Sequence, residues 1–417
     1  MSIADKLTLL INTKQDIKSA ISEKGVEVTG GMTTYADAIR RIETGGGGGS
    51  ISSIDIPAGL KFSQSTISEL PQLNLGYGYE DGSYMFYDCR NLVSIEDINS
   101  KEGSYLTNTS YMFGNCFSLQ SIPLLNTSSV NNASYMFYNC KSLTTIPLLN
   151  TSSVTDMNCM FDLCKSLTTI PLLNTSNVTN MRYMFSSCES LTTIPQLDTS
   201  SVSNMVNMFY YCKSLTTIPQ LDTSNVTDIS YMFSDCYSLT TIPQLDTSNV
   251  TDISYMFGGC RKISTIPLLN TSSVNKMRGL FNGCRSLTTI PQLDTSNVTI
   301  VNELFMGCVS LESLPLLDFS NVTDAGGMFS SNPTSYPQPY PSLADLGGFK
   351  NLKVSLYGLD GAPNLTVQSL MNVINNLYDF VGNGSTTTRT LQLGTTNLNK
   401  LTAEQKAVAT NKGWVLE

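Results

Sequence analysis

Histidine is absent from this sequence of 417 residues. Without imidazole the chain lacks the commonest general base, the Ser-His and Cys-His nucleophilic pairs, and every zinc site that needs a histidine ligand. The sequence therefore argues against an enzyme. We expect no catalytic residues, no cofactor and no metal site.

Long basic runs, long apolar runs and an export signal are absent as well. The formal net charge of −9 argues against nucleic acid or an anionic membrane surface as the main partner. No run reaches the roughly 18 apolar residues that a membrane-spanning helix needs. The N-terminus, "MSIADKLTLLINTKQDIK", has no basic region, uninterrupted apolar core or cleavage site of a signal peptide. Export by that route is therefore not expected.

What the chain does contain is one phrase of 24 residues that recurs almost to its end. "NTSSVTDMNCMFDLCKSLTTIPLL" (150–173) is followed at once by "NTSNVTNMRYMFSSCESLTTIPQL". A phenylalanine preceded by methionine or leucine marks each copy: Phe86, Phe113, Phe137, Phe161, Phe185, Phe209, Phe233, Phe257, Phe281, Phe305 and Phe329. Repeats of this length stack as coils of one solenoid.

Each repeat divides into two patterns. Apolar residues at i, i+3, i+7 and i+10 predict one face of a helix: Val154, Met157, Phe161 and Cys164. The next segment, 166–173, is β-branched and contains a proline, so we predict a short strand, a bend and a turn. One helical segment and one strand per coil indicate an α/β solenoid of about eleven coils.

The repeat resembles a known family. "DTSNVTDISYMFSDCYSLTTIP" (222–243) is similar to BspA-like leucine-rich repeat proteins, which repeat T-S-x-V-T-x-M-x-x-M-F-x-x-C-x-x-L. The resemblance covers roughly residues 51–332 and implies a leucine-rich repeat solenoid with a role in surface adhesion and binding. This chain has the shorter I-P-x-L in place of the family's L-x-x-L-x-L-x-x-F, so a tighter bend is expected after the strand.

Cysteine recurs every 24 residues from Cys116 to Cys308. Disulfides or metal ligation between coils is the alternative interpretation, but stacked side chains run parallel, and metal ligands must converge. We interpret these cysteines as small buried hydrophobes. Cys159, which replaces the tyrosine of Y-M-F, is expected to be more exposed.

Aspartate and asparagine exchange freely at another repeat position. The two residue types are near-equal acceptors in turns and caps but unequal calcium ligands. We therefore predict a turn at this position. The column consists of Asn150, Asn174, Asp198, Asp222, Asp246, Asn270, Asp294 and Asp318.

Residues that vary from repeat to repeat around the Met-Phe pair and the cysteine are candidates for partner contact. Variation is expected of any surface, but aromatic and arginine side chains are frequent anchors of protein interfaces. The predicted partner-binding surface consists of Arg182, Tyr183, Tyr210, Tyr211, Tyr237, Arg261, Arg278 and Arg285.

The N-terminal segment has a different character. Apolar residues at alternating steps of four and three predict a heptad seam: Ile3, Leu7, Leu10, Ile17 and Ile21. We divide the chain into a helical anchoring module (1–44), a glycine-rich linker (45–50), the solenoid (51–332) and an α/β C-terminal cap (333–417). The first module, with "DIKSAISEKGVEV" and "TTYADAIRRI", resembles N-terminal pieces of tailed-phage virion proteins, notably fibres.

Together these features favour a structural virion protein of a tailed bacteriophage. We expect a fibre or appendage, made in the host cytoplasm, whose repeat arm attaches to the host surface or to other virion proteins. The seam is expected to form a homo-oligomer, a trimer before a dimer. The alternative is a surface-exposed or secreted bacterial adhesin of the BspA-like type.

Overall fold

The computed structural model describes residues 53–56, 59, 61–100, 105–330 and 340–417. The predicted anchoring module (1–44), its seam and the linker (45–50) lie outside the described residues. The described residues form two compact units, one ending at Ser201 and the other beginning at Val202. Among the described helices, none has the length and apolar character needed to cross a membrane.

The first unit opens with short parallel strands. They are β1 (Ser53–Ile56), β2 (Glu69–Leu70), β3 (Gln72–Leu75), β4 (Ser94–Ile95) and β5 (Ile98–Ser100). β3 lies between β1 and β5, with Leu73 opposite Ile98, and β2 pairs with β4. Successive coils thus pair in register from the start of the stack.

The predicted helix in each repeat is wrong. In 157–164, the N–H groups of Cys159, Phe161 and Leu163 donate to carbonyls of the next coil at 2.8–2.9 Å. The N–H groups between them donate three residues back within their own coil. An α-helix would instead send every N–H to the carbonyl four residues earlier. Consecutive tight turns, with Cys159 and Leu163 at φ of 53° and 64°, produce the apolar spacing that resembled a helix face.

The predicted strand position is also partly wrong. In the coils of the first unit that follow β5, "SLTTIP" forms no strand and makes isolated bonds to the neighbouring coil, such as Thr168 N–H to the Thr144 carbonyl at 3.2 Å. Proline at 171 has no N–H for a ladder. The parallel bridge of these coils lies instead at Asp156, which pairs with Asn132 on one side and Asn180 on the other.

The interior of each unit is a set of columns. Ring centroids of successive phenylalanines are 5.1–5.7 Å apart from Phe86 to Phe185 in the first unit, and 5.7–6.1 Å apart from Phe209 to Phe329 in the second. All eleven cysteines are free and buried. Cys159 is the most accessible of the eleven, as expected, but at 4% it too is buried.

The second unit ends in a mixed cap. β6 (Ser313–Leu314) and β7 (Leu317–Asp318) pair in parallel with β8 (Asp345–Leu346) and β9 (Phe349–Lys350). Then come a 3-10 turn (Leu359–Gly361), helix α1 (Val367–Asn376), β10 (Arg389–Leu391), α2 (Gly394–Leu398), α3 (Ala403–Asn411) and β11 (Trp414–Leu416). Between β9 and the 3-10 turn, single parallel bridges join Leu352 to Leu377 and Leu356 to Leu391.

The end of the cap follows the sequence closely. Thr402 and Gln405, spaced as a capping box in the sequence, form one at the start of α3, which satisfies N–H groups that the first helical turn leaves unpaired. Gly413 adopts a φ of 89° after the helix. Trp414 is buried, and its Nε1 donates to the Tyr378 carbonyl at 2.9 Å. The cap therefore covers the last apolar face of the second unit.

Candidate interaction surfaces

A row of exposed leucines lies on the first unit. Leu124, Leu148 and Leu172 occupy the variable position of I-P-x-L, and 63–67% of each is accessible. The leucine that follows each of them is buried, as expected where an extended chain points alternate side chains to opposite faces. With Asn126, Asn150 and Asn174 the row lines a groove of about 1190 Å³, here called the leucine groove.

The same position carries glutamine in several coils of the second unit. The Nε2 atoms of Gln220 and Gln244 each donate to a backbone carbonyl of the next coil at 2.6 Å, and Gln292 does so at 2.9 Å. Leucine has no donor for such a bond. Glutamine therefore fits this position and adds a hydrogen bond to the next coil. Folding does not require leucine here, so it does not explain the exposed leucines of the first unit.

A second groove, of about 1070 Å³, lies on the second unit. Its walls combine the three glutamines with Leu268 and Leu316, which are 61% and 41% exposed. Charged side chains complete the lining: Asp246, Asp294, Asp318 and Lys350. We call it the acidic groove.

The aspartates of this groove are turn residues, as predicted. Asp246 Oδ1 accepts the N–H of Ser248 at 3.0 Å, and Asp294 Oδ1 accepts both the N–H and the hydroxyl of Ser296. Asn150 makes the same two bonds with Ser152, which explains why Asp and Asn exchange. Hydrogen bonds from the Ser248 backbone and from the Ser296 hydroxyl lower the pKa values of Asp246 and Asp294, so both carboxylates are ionised at neutral pH.

One polar group in the wall of the acidic groove has no partner. The hydroxyls of Thr247 and Thr295 each donate to a carbonyl of the next coil at 2.8 Å. Thr271 occupies the equivalent position and is 2% exposed, yet within the described part of the chain its Oγ1 bonds to nothing. An unpaired buried hydroxyl is unfavourable by about 1–3 kcal/mol.

Half of the predicted partner-binding residues form one cluster. Tyr211 contacts Tyr210 at 5.9 Å and the edge of Tyr237 at 6.0 Å between ring centroids. Arg261 lies over the Tyr237 ring at 3.9 Å, and Lys213 lies over Tyr211 at 4.1 Å. Cation–π contacts of this kind hold the rings in place. The ring faces that Lys213 and Arg261 cover are therefore not open to a partner.

The other predicted partner-binding residues lie outside this cluster. Arg278 pairs with Glu303 at 2.9 Å, and Glu303 also accepts the Tyr255 hydroxyl at 2.6 Å. Arg182 lies over Tyr183 in the first unit. Arg285 is half-buried.

Sequence reasoning missed a tyrosine stack at the position before Met-Phe. Tyr84, Tyr111 and Tyr135 stack with centroids 4.9 and 4.3 Å apart, and each has φ between 55° and 58°. The recurring tyrosine of Y-M-F was the available signal. Because bulky residues seldom adopt positive φ, glycine at 279 and asparagine at 207 in the same column fit this backbone conformation better.

Sequence reasoning also missed both grooves, although the alternation of Leu and Gln in I-P-x-L was visible. In the described residues no group of three or more Cys, Asp or Glu side chains is arranged to hold a metal ion.

A family model described as "Mycoplasma protein of unknown function, DUF285" matches residues 80–193, 144–242, 164–269 and 238–340. No curated protein matches the sequence. None of the comparisons bears on the resemblance of residues 1–44 to phage virion proteins.

Solved structures similar to this chain include a leucine-rich repeat protein from Bacteroides ovatus, with 15% identity, a TM-score of 0.38 and 87% of each chain covered. Another is from Eubacterium ventriosum, with 17% identity and a TM-score of 0.39, covering 69% of this chain and 90% of that one. A leucine rich cell surface protein from Faecalibacterium prausnitzii has 19% identity and a TM-score of 0.28, covering 72% and 83%. All three are bacterial leucine-rich proteins.

Proposed function

The chain belongs to the DUF285 family, whose matches together span residues 80–340, and we propose that it is a non-enzymatic attachment protein that uses its repeat coils as a binding scaffold. The observation that carries this proposal is the leucine row. Leu124, Leu148 and Leu172 expose apolar surface at a position where the same scaffold accommodates hydrogen-bonded glutamine. Contiguous exposed apolar surface is typical of sites that contact a partner.

A binding role also agrees with how the reactive groups are used. The aspartates of the repeat column are engaged in turns with serine. Burial raises the pKa of the Cys164 thiol well above its usual range, which leaves it a poor nucleophile at neutral pH. The function we propose needs no catalytic residue, cofactor or metal.

The leucine groove provides the direct test. Leu148→Gln and Leu172→Gln should preserve the fold, because glutamine occupies the equivalent position at 220 and 244. We expect the double variant, as labelled full-length protein, to bind a panel of bacterial cells about tenfold or more weakly than the original protein. Thr169→Ala, an exposed change in the same coil as Leu172, is the control. Unchanged attachment by the leucine variant would remove the main support for this function.

For the biological setting we propose the virion of a tailed bacteriophage, synthesised in the host cytoplasm. The support is the resemblance of residues 1–44 to phage fibre components and the glycine-rich segment 45–50. In this setting other virion proteins would hold the N-terminal module, and the repeat arm would contact a host glycan or protein. Mass spectrometry of purified particles should detect the chain, and its absence from them would contradict this assignment.

The N-terminal module is also the proposed site of homo-oligomerisation, with a trimer favoured. The seam Ile3, Leu7, Leu10, Ile17 and Ile21 spans about three heptads, too short to be stable as an isolated helix pair. Light scattering should therefore show an oligomer for the full chain and a monomer after deletion of residues 1–44. An oligomer that survives the deletion would place the interface elsewhere.

A bacterial surface adhesin is the second candidate function. The recurring "TSNVTDISYMF" phrase favours it, because the repeat resembles BspA-like proteins, a class associated with surface adhesion. Labelled antibody on intact bacteria would show surface staining if the adhesin hypothesis holds. Staining confined to phage particles would favour the virion.

A further inference from the structure

The acidic groove holds negative charge that the protein itself leaves uncompensated. The Oδ1 atoms of Asp246 and Asp294 are engaged by serine, while their Oδ2 atoms have no partner within the described residues. Lys350 is the one basic side chain in the described lining, and it is bonded to Asp318 at 2.6 Å. A partner that carries positive charge would therefore meet two open carboxylates.

Apolar surface lies beside these carboxylates. Leu268 and Leu316 are exposed at the position where Gln244 and Gln292 are hydrogen-bonded to the next coil. A purely hydrophilic cation would leave the two leucines in water. An occupant that combines basic and apolar side chains would cover both kinds of surface.

Thr271 supplies an independent sign of an absent partner. Thr271 lines the groove, and its buried hydroxyl lacks the bond to the next coil that Thr247 and Thr295 make. Because the hydroxyl oxygen is itself buried, an occupant would relieve this unpaired group only after the Thr271 side chain rotates toward the groove. A peptide carries backbone N–H and carbonyl groups along its whole length.

The repeat spacing sets the pattern of the occupant. Asp246 and Asp294 are two coils apart, which corresponds to about 10 Å at the usual separation of neighbouring parallel strands. A peptide in the extended polyproline II conformation covers about 9 Å in three residues and returns every third side chain to the same face. Leu268 and Leu316 have the same two-coil separation, so apolar contacts recur with the same period as the charges.

We propose that the acidic groove binds an extended peptide segment of a protein partner, in which lysine or arginine recurs at every third residue among apolar and small residues. This inference rests on the proposed attachment function and names the chemistry of one partner. The carboxylates would pair with the basic side chains, and Leu268 and Leu316 would contact the apolar ones. Thr271, once its side chain has rotated, would bond to the peptide backbone.

The test uses the full-length protein and a fluorescent synthetic peptide of repeated Lys-Val-Thr. Fluorescence anisotropy should show saturable binding that weakens with added salt, because salt screens exposed charge pairs. A repeated Glu-Val-Thr peptide should not bind. Equal binding of the two peptides would overturn the proposal.

Substitutions in the groove make the test specific. Asp246→Asn with Asp294→Asn keeps the turn acceptors and should weaken binding about five- to tenfold, as expected for two exposed ion pairs. Asn270→Asp, in the same column, should strengthen binding about two- to fivefold. Glu404→Gln on α3 is the control and should leave the affinity unchanged. Full affinity in the double variant would show that these carboxylates do not bind the peptide.

Two further outcomes separate this proposal from its alternatives. Calcium alone is titrated in the same assay, and displacement of the peptide by calcium at low concentration would identify a cation site and overturn the peptide proposal. If the peptide does not bind while the Leu148 and Leu172 variant still loses cell attachment, this inference fails and the attachment function stands. If the Asp246 and Asp294 variant loses peptide binding while the Leu148 and Leu172 variant attaches to cells normally, the peptide proposal stands and the attachment function fails.

Discussion

The thiol of Cys164 donates a hydrogen bond to the backbone carbonyl of Phe137, with 3.1 Å between Sγ and the oxygen. The same carbonyl accepts the N–H of Cys140 at 3.1 Å, so both of its lone pairs are used. The relation recurs, for example from Cys140 to Phe113. Cysteine thus has two roles at this position. It is a small buried side chain, and its thiol satisfies the second lone pair of a backbone carbonyl in the preceding coil.

Replacing one of these thiols should be costly for stability. Cys164→Ala removes the Sγ atom from a fully buried site, leaves a small void and deletes one bond to Phe137. We expect a loss of about 1–2 kcal/mol in the free energy of unfolding, measured by urea denaturation. Thr169→Ala, which is exposed, should change it by less than about 0.5 kcal/mol. Equal effects of the two variants would contradict this role of the thiol.

Tyr340 performs the same role at the end of the column. No cysteine lies 27 residues after Phe305, because Asn332 occupies that position. Instead the Tyr340 hydroxyl donates to the Phe305 carbonyl at 3.0 Å and accepts the Gly307 N–H at 3.1 Å. Tyr340→Phe should lower stability by about 1–2 kcal/mol, whereas Tyr357→Phe, at an exposed ring, should have little effect. Thermal melts that coincide for the two variants would refute this.

The sequence could predict the periodic core but not the backbone that holds it. The columns of Phe161 and Cys164 were evident from spacing, and both are buried as expected. The helix was wrong because tight turns also return an apolar residue every three or four positions, and spacing does not reveal whether an N–H bonds within its coil or to the next. The position directly before the repeat cysteine varies between coils and carries glycine at 259, 283 and 307. These glycines were the sign in the sequence of a backbone with positive φ.

The candidate site was harder to predict for a different reason. Tyr211, Tyr237 and Arg261 were selected as residue types typical of interfaces, and they do meet. In the folded protein these side chains contact one another, so part of the surface that a partner would contact is already covered. Leu148 and Leu268 look like core residues in the sequence, and only the alternation of side chains about the proline bend exposes them.

Asp162 should make the stability of the first unit depend on pH. Burial raises its pKa to about 6, against the opposing effect of hydrogen bonds from Ser186 and the Leu163 backbone. Because the folded state holds this proton more tightly than the unfolded state, stability from this group is fully present below about pH 4 and is lost as the pH rises through about 6. Asp162→Asn should abolish that loss.

The measurement is the difference in free energy of unfolding between the variant and the original protein from pH 4 to 8. It should shift in favour of the variant by about 1–3 kcal/mol across this range. Asp156→Asn is the matched change, since Asn132 and Asn180 already occupy its column. A difference that stays constant from pH 4 to 8 would mean that Asp162 ionises normally in the folded protein.

The last prediction separates backbone strain from ring packing at two glycines of the second unit. Gly279 and Gly283 have φ of 55° and 72°, so alanine at either position is strained by roughly 1 kcal/mol. A Cβ at Gly279 would lie 2.3 Å from Cε1 of Tyr255, whereas one at Gly283 would meet nothing closer than 3.6 Å. The two substitutions therefore share the strain but not the steric clash.

Gly283→Ala should cost about 1 kcal/mol, from the backbone alone. Gly279→Ala should cost about 1–3 kcal/mol more, because it must displace the Tyr255 ring from its stack on Tyr231 and from its bond to Glu303. Tyr255→Ala in the Gly279→Ala background should recover part of that excess, since the smaller side chain leaves room for the new methyl. Additive losses in this double variant would show that the ring does not set the requirement for glycine at 279.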